Sequence, residues 1–411
     1  MKKKIKAKNI LTWLMILCFV VINFCFIATA ADEDFDFDMD YYSKFQGQNV
    51  SINVFNWGLY ISDGEDDSYE TVKEFEKLTG IKVNYSTYAT NEELYSKLKG
   101  GGADYDVVIP SDYMIGRFIE EGMIEKLDFS NIPNIKYITD DFKNLEYDPT
   151  GEYSVPYMWG TVVLIYNTKY VDEPVDSWEI LWDEKYKGKI IMFQNSRDSI
   201  GIALKKLGYS LNTTNEAELE EAAEELIKQK PLVQGYFMDE IFDKLGGGAA
   251  YLGPYYAGDA MTMIADNPDL AAVYPKEGTN RFVDAACIPK GSKNKEAAEM
   301  FINFLSEPAV SAANAEYTEY CTPNGEAYEL LDDEIKNNPI TYPSEEILAN
   351  TEVFTNMPRH INEKIDKLWI TVIGSQFSLL LTVLFIVIII ALVVILVVIM
   401  IFRNKKKKVA Y

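Results

Sequence analysis

Histidine is almost missing from this chain: His360 is the only one in 411 residues. It lies in Pro358-Arg359-His360, and nothing in the sequence places it near a hydroxyl nucleophile such as Ser111. A Ser-His-Asp arrangement has one possible base here. His and Cys nowhere adopt zinc-ligand spacing. Carboxylates are plentiful enough for a glycosidase pair, yet no motif arranges them so. The pattern argues against an enzyme and implies no metal or cofactor.

Cysteine is also scarce. Cys18 and Cys25 fall in an early apolar segment, leaving Cys287 and Cys321 for the rest of the chain. Export permits a disulfide between them, but sequence cannot establish the geometry, so two buried thiols are an equal alternative. Cys25 is not read as a lipid-attachment site, because Ile22-Asn23-Phe24 before it lacks small residues.

Acids are absent from both ends. Residues 1–30 hold five Lys and residues 368–411 hold Arg403 and Lys405 to Lys408, with no Asp or Glu in either stretch. Removing those ten bases from a net charge of -24 leaves -34 on the middle. So acidic a body disfavours nucleic acid and an anionic membrane surface as partners and concentrates cations.

Two apolar segments flank the acidic middle. Ile10–Ala28 follows the Lys-rich start and ends in Ala28-Thr29-Ala30, an A-x-A-like cleavage site before Ala31. It exceeds the roughly 7–15 apolar residues of a signal peptide, so an uncleaved anchor stays open. Phe377–Phe402 exceeds the roughly 20 residues of a bilayer span. The bases after it place that end in the cytoplasm. Either reading leaves the middle outside the membrane, tethered at its C-terminus.

Strand and helix patterns alternate from Val50. Val50 to Asn56, Ile81 to Tyr88 and Tyr105 to Pro110 read as strands. Tyr69 to Leu78 carries Val72, Phe75 and Leu78 on one helical face before Thr79-Gly80, and Glu92 to Leu98 reads as the next helix. Such alternation predicts an α/β fold with parallel sheets. Asp32 to Tyr42 mixes acids and aromatics without either period and reads as a solvated spacer. Its aspartates do not complete a calcium loop, since Tyr41 replaces the required glycine.

Two strands run into polar and aromatic residues: Val54-Phe55-Asn56-Trp57-Gly58-Leu59-Tyr60 and Val107-Val108-Ile109-Pro110-Ser111-Asp112-Tyr113. Open α/β sheets bind ligands just beyond such strand ends, and aromatic faces suit a cation. The triple glycine Gly100-Gly101-Gly102 before the second strand has an echo in Gly246-Gly247-Gly248 before Tyr251-Leu252-Gly253-Pro254-Tyr255-Tyr256. Neither run leads into Gly-Lys-Ser/Thr, so neither is a phosphate loop. The echo suggests two similar lobes feeding one cleft.

Many short motifs, in order, resemble the spermidine/putrescine-binding proteins, the solute receptors of polyamine importers of the ATP-binding-cassette type. They include Asn56-Trp57, Thr79-Gly80-Ile81-Lys82-Val83, Tyr85-Ser86-Thr87-Tyr88, Val155-Pro156-Tyr157-Met158-Trp159-Gly160, Pro275-Lys276-Glu277-Gly278 and Phe301-Ile302-Asn303-Phe304-Leu305. The resemblance covers roughly residues 50–370. It implies a two-lobed periplasmic-binding-protein fold with a hinge, a polyamine ligand, and permease and ATPase partners. Within that span the implied division is 50–157 first lobe, 158–284 second lobe, 285–330 return to the first lobe, and 331–372 a C-terminal segment packing on the second lobe and juxtamembrane; the sequence itself adds 1–30 as signal or anchor and 31–49 as acidic spacer. A transmembrane helix over 377–402 and a basic tail over 403–411 complete it.

Carried over position by position, the resemblance implies ligand contacts at Trp57, Tyr60, Ser111, Tyr113, Asn195, Asp198, Tyr256, Phe282, Asp284 and Tyr320. Asp284 matches a central carboxylate and stands among apolar neighbours, where an unpaired acid is expensive. Three positions depart from the pattern. Gly58-Leu59 replaces Thr-Glu or Ser-Asp, Asn195 replaces an Asp, and Phe354 stands near an expected Gln. Each lost charge-assisted contact is worth roughly 1.5–3 kcal/mol. Asp112 and Asp259 are candidates to compensate. A receptor for another small cationic or polar solute is the alternative ligand reading. A surface sensor is the rival function, and the short tail would then require a signalling partner.

Overall fold

The computed structural model describes residues 35–101 and 104–375, together with Val387 and Ile389. The alternating pattern becomes strands β1 (Ser51–Trp57), β2 (Lys82–Tyr88), β3 (Val107–Val108), β4 (Ser154–Asn167) and β5 (Ile190–Phe193). These are followed by β6 (Val233–Phe237), β7 (Leu252–Tyr256), β8 (Leu270–Val273), β9 (Thr279–Cys287) and β10 (Thr351–Glu352). Their order is β2-β1-β3-β9-β4-β7-β5-β6, with β10 beside β9 and β8 beside β4.

The first lobe is built on β1, which pairs in parallel with β2 and β3. The helices between these strands form for ordinary reasons. Thr71–Thr79 buries Phe75 completely, and Gly80 ends it in the left-handed conformation (φ 74°), its N–H donating to the Glu76 carbonyl at 2.9 Å. Asn91–Lys99 is capped by Thr90, whose Oγ1 accepts from the Glu93 N–H at 3.1 Å. The third strand is shorter than its sequence suggests, because only Val107 and Val108 pair with β1.

Strands β4 and β9 cross between the lobes. They run antiparallel from Ser154 opposite Cys287 to Thr161 opposite Arg281, with a register shift between Pro156 and Met158. Beyond Thr161, β4 pairs instead with β7 and β8 of the second lobe. All of β4 except Tyr166 is buried, as expected of a strand covered on both faces. The second lobe is completed by β5, parallel to both β6 and β7. Its core includes Val163, Leu164, Trp178, Phe193 and Leu226, and separate clusters fill the two faces of the first-lobe sheet.

The described part of the acidic spacer is not solvated chain. Met39–Tyr42 is a short helix capped by Asp38, and Tyr42 is fully buried with its hydroxyl donating to Glu307 at 2.6 Å. Phe37 packs on Phe304, with ring centroids 5.6 Å apart. The alternation explains the difference: the aromatics cover the first-lobe core while most acids face water.

Residues 359–375 are helical, and Ile361, Ile365 and Val372 join the second-lobe core. Lys230 Nζ donates to the Val372 carbonyl at 2.7 Å. Among the described residues no helix is long and apolar enough to cross a membrane. The segment 10–28, and 377–402 apart from Val387 and Ile389, lie outside the described residues. Cys287 and Cys321 are both buried free thiols.

Candidate ligand-binding site

The C-terminal ends of β1, β5, β6 and β7, the segment after β3, and the middle of β9 converge on one narrow cavity of about 50 Å³. All ten residues singled out from the sequence line it. Among the described residues its lining holds four carboxylates, Asp198, Asp239, Asp259 and Asp284, and no Lys or Arg.

Three of these acids are each held by a tyrosine. Tyr60 Oη donates to Asp284 Oδ2 at 2.8 Å, Tyr256 Oη to Asp198 Oδ2 at 3.0 Å, and Tyr320 Oη to Asp259 Oδ2 at 2.9 Å. Burial pushes all three carboxyls up to about 7, and their hydrogen bonds offset part of that rise. The Ser111 hydroxyl lies beside Asp284 and favours its charged form. Even so, Asp284 Oδ1 is buried without a hydrogen bond of regular geometry. Asn280 Oδ1 is likewise buried and without a partner. These open acceptors are matched to a ligand rich in N–H donors.

The walls are aromatic. Tyr60 meets Tyr320 edge to face at 4.9 Å, and Phe282 meets Tyr256 at 5.3 Å. Trp57 packs against Tyr88 at 4.6 Å, and its indole N–H has no partner. Such walls cover methylenes and attract ammonium charge.

Beyond the three tyrosine–carboxylate pairs, Asn195, Tyr113 and Ser111 also bond to protein partners. Asn195 caps helix Ser196–Lys206, its Oδ1 accepting from the Arg197 N–H at 2.9 Å while its Nδ2 donates to Asp198 Oδ2 at 2.7 Å. The amide thus orients Asp198, which an acid at position 195 would repel. The Tyr113 hydroxyl donates to Glu92 at 3.0 Å, and the Arg197 guanidinium lies 4.7 Å from its ring centroid. Ser111 accepts from Asn91 Nδ2 at 3.1 Å.

Of the two compensating acids considered from sequence, Asp259 lines the cavity and Asp112 does not. Asp112 is fully buried and accepts the N–H groups of Val283 at 3.1 Å and Tyr113 at 2.6 Å, which ties the first lobe to β9. Phe354 also lines the cavity. Sequence reasoning missed Asn280, Asp239 and Tyr255. Asn280 was within reach, because positions 280, 282 and 284 share one face of a strand.

Residues 70–343 match the family described as bacterial extracellular solute-binding protein. The spermidine/putrescine-binding periplasmic protein of Escherichia coli is 39% identical over 307 residues, covering 74% of this chain and 86% of that one. A putrescine-binding periplasmic protein of Pseudomonas aeruginosa is 34% identical over 343 residues, covering 79% and 92%. Among solved structures, the spermidine/putrescine ABC transporter substrate-binding protein of Streptococcus pneumoniae superposes with a TM-score of 0.66 at 36% identity, covering 79% and 98%. The chain therefore belongs to the bacterial extracellular solute-binding proteins, among their spermidine/putrescine-binding members.

Proposed function

We propose that this protein captures a polyamine outside the cytoplasm and delivers it to the permease of an ABC importer. The observation that carries the reading is the set of three buried carboxylates, each oriented by a tyrosine, in an aromatic cavity without a basic residue. A polyamine's ammonium groups pair with Asp198, Asp259 and Asp284. Its methylenes lie against Trp57, Tyr60, Tyr256, Phe282 and Tyr320. The residues come from both lobes and from the crossover strands, so a bound ligand favours the closed arrangement by touching each part. The apolar run Phe377–Phe402 followed by Arg403 and Lys405 to Lys408 supports a single C-terminal membrane tether. Such a tether keeps the receptor at high effective concentration near the permease.

Equilibrium binding of labelled putrescine and spermidine to the purified full chain tests the reading. Saturable one-to-one binding of at least one is the expected result. Folded protein that binds neither contradicts it.

A further inference from the structure

We propose that Asp239, on the second lobe, is a ligand-anchoring carboxylate, and that the absence of a side chain at Gly58 on the first lobe is what admits it. The proposal rests on the polyamine reading and adds to it a residue whose place in the cavity depends on the opposite lobe.

The first-lobe turn after β1 brings aromatics but no acid. Leu59 adopts the left-handed conformation (φ 51°) and is 55% exposed, so its side chain lies in solvent rather than in the cavity. Trp57, Gly58 and Tyr60 on either side of it do line the cavity. The turn thus presents a gap at Gly58 between two aromatic walls.

Asp239 fills that gap from across the cleft. It follows the C-terminal end of β6 by two residues. A Cβ built on Gly58 would stand 2.4 Å from Asp239 Oδ2 and 3.3 Å from its Cγ. Real Cβ atoms do not approach so closely, so any side chain at position 58 would displace the carboxylate. Tyr255 lies beside Asp239 and favours its charged form, and Asp239 in turn acts electrostatically on Asp259. Both acids line the same cavity.

A cluster of acids alone would not imply a ligand. The independent sign is in the same cavity, where Asp284 Oδ1 and Asn280 Oδ1 are buried acceptors without a hydrogen bond of regular geometry, in residues 4% and 7% exposed. Acceptors left open in a cavity with no base call for N–H donors from a ligand. Asp239, in the same cavity, offers a further carboxylate to such a ligand, in a position that a side chain at residue 58 would displace.

Calorimetric titration of the full chain with spermidine and putrescine tests this, using Asp239→Asn, Gly58→Ala and the double variant. Asp239 is exposed on a loop, so Asp239→Asn should melt as wild type does. We expect each single variant to lose at least tenfold in affinity for the tighter-binding amine. The double variant should be no weaker than Asp239→Asn alone, because both changes remove the same contact. Asp239→Asn within twofold of wild type overturns the proposal while leaving the polyamine reading intact. Fully additive losses overturn the role assigned to Gly58. A wild-type protein that binds neither amine overturns both readings.

Discussion

The Tyr60 hydroxyl donates to Asp284 Oδ2 across 2.8 Å, joining the turn after the first strand to the crossover strand 224 residues later. The bond fixes the rotamer of the central carboxylate and leaves Oδ1 open. Removing it with Tyr60→Phe frees Asp284 to turn and withdraws a hydrogen bond that favours its charged form. Bonds to charged groups contribute about 1.5–3 kcal/mol, so affinity should fall roughly ten- to hundredfold by titration. The binding midpoint in pH should also move upward. A variant indistinguishable from wild type would show that Tyr60 serves the core alone.

Binding should strengthen as pH rises. Asp198, Asp259 and Asp284 have carboxyls pushed up to about 7 by burial, whereas in the unfolded chain they ionise near 3.8. Between those values the ligand-free fold holds protons that the unfolded chain has released, so its stability falls as pH rises from about 4 towards 7 and then levels. A bound cation favours the ionised acids and expels those protons. Affinity should therefore rise between pH 5.5 and 8, by up to about thirtyfold for each carboxyl that ionises on binding. Thermal melts with and without spermidine check both signs. The ligand-induced gain should be larger at pH 8, and a larger gain at pH 5.5 contradicts the account.

Arg197 holds the cleft wall together. Its guanidinium lies 4.7 Å from the Tyr113 ring centroid and 4.5 Å from that of Phe354, and it donates to the Thr355 carbonyl at 3.3 Å. It also offsets the buried charge of Glu92, Asp112 and Asp198. Arg197→Met keeps much of the volume and leaves those acids uncompensated. Losing the stacked guanidinium and its bonds to the Thr355 carbonyl costs about 2–4 kcal/mol. Urea unfolding of the full chain should report a loss of that size, and a loss under about 1 kcal/mol would contradict the bridging role.

Gly160 leaves room for the aromatic wall. On β4, a Cβ there would stand 2.9 Å from Phe282 Cζ and 3.2 Å from Tyr320 Cδ1. Gly160→Ala should shift both rings and cost about 1–3 kcal/mol of stability, the usual range for overpacking. Affinity should drop with it. Unchanged affinity would mean that the positions of these two rings do not matter to the ligand.

The chain itself announced much of this site, and its silences have physical causes. Asp284 stood out because an acid among Phe282, Val283 and Ala285 needs a purpose. Asn195 looked like a lost carboxylate, but only the structure shows its amide capping a helix and steering Asp198. Asp239 reads as a solvated turn in Met238-Asp239-Glu240. Its meaning depends on a glycine 181 positions earlier, a relationship no local pattern carries. The stretch around Phe37 and Tyr42 was misread because alternating aromatics and acids match neither periodicity, although the aromatics alone suffice to dock it.

The most direct measurement is calorimetric titration of the full chain and its Asp284→Asn variant with spermidine, putrescine and the uncharged 1,4-butanediol. The account predicts saturable heat with an amine, none with the diol, and at least a tenfold loss of amine affinity in the variant with its melting behaviour preserved. A folded wild-type chain that binds neither amine, or a variant that binds as tightly as wild type, would contradict it.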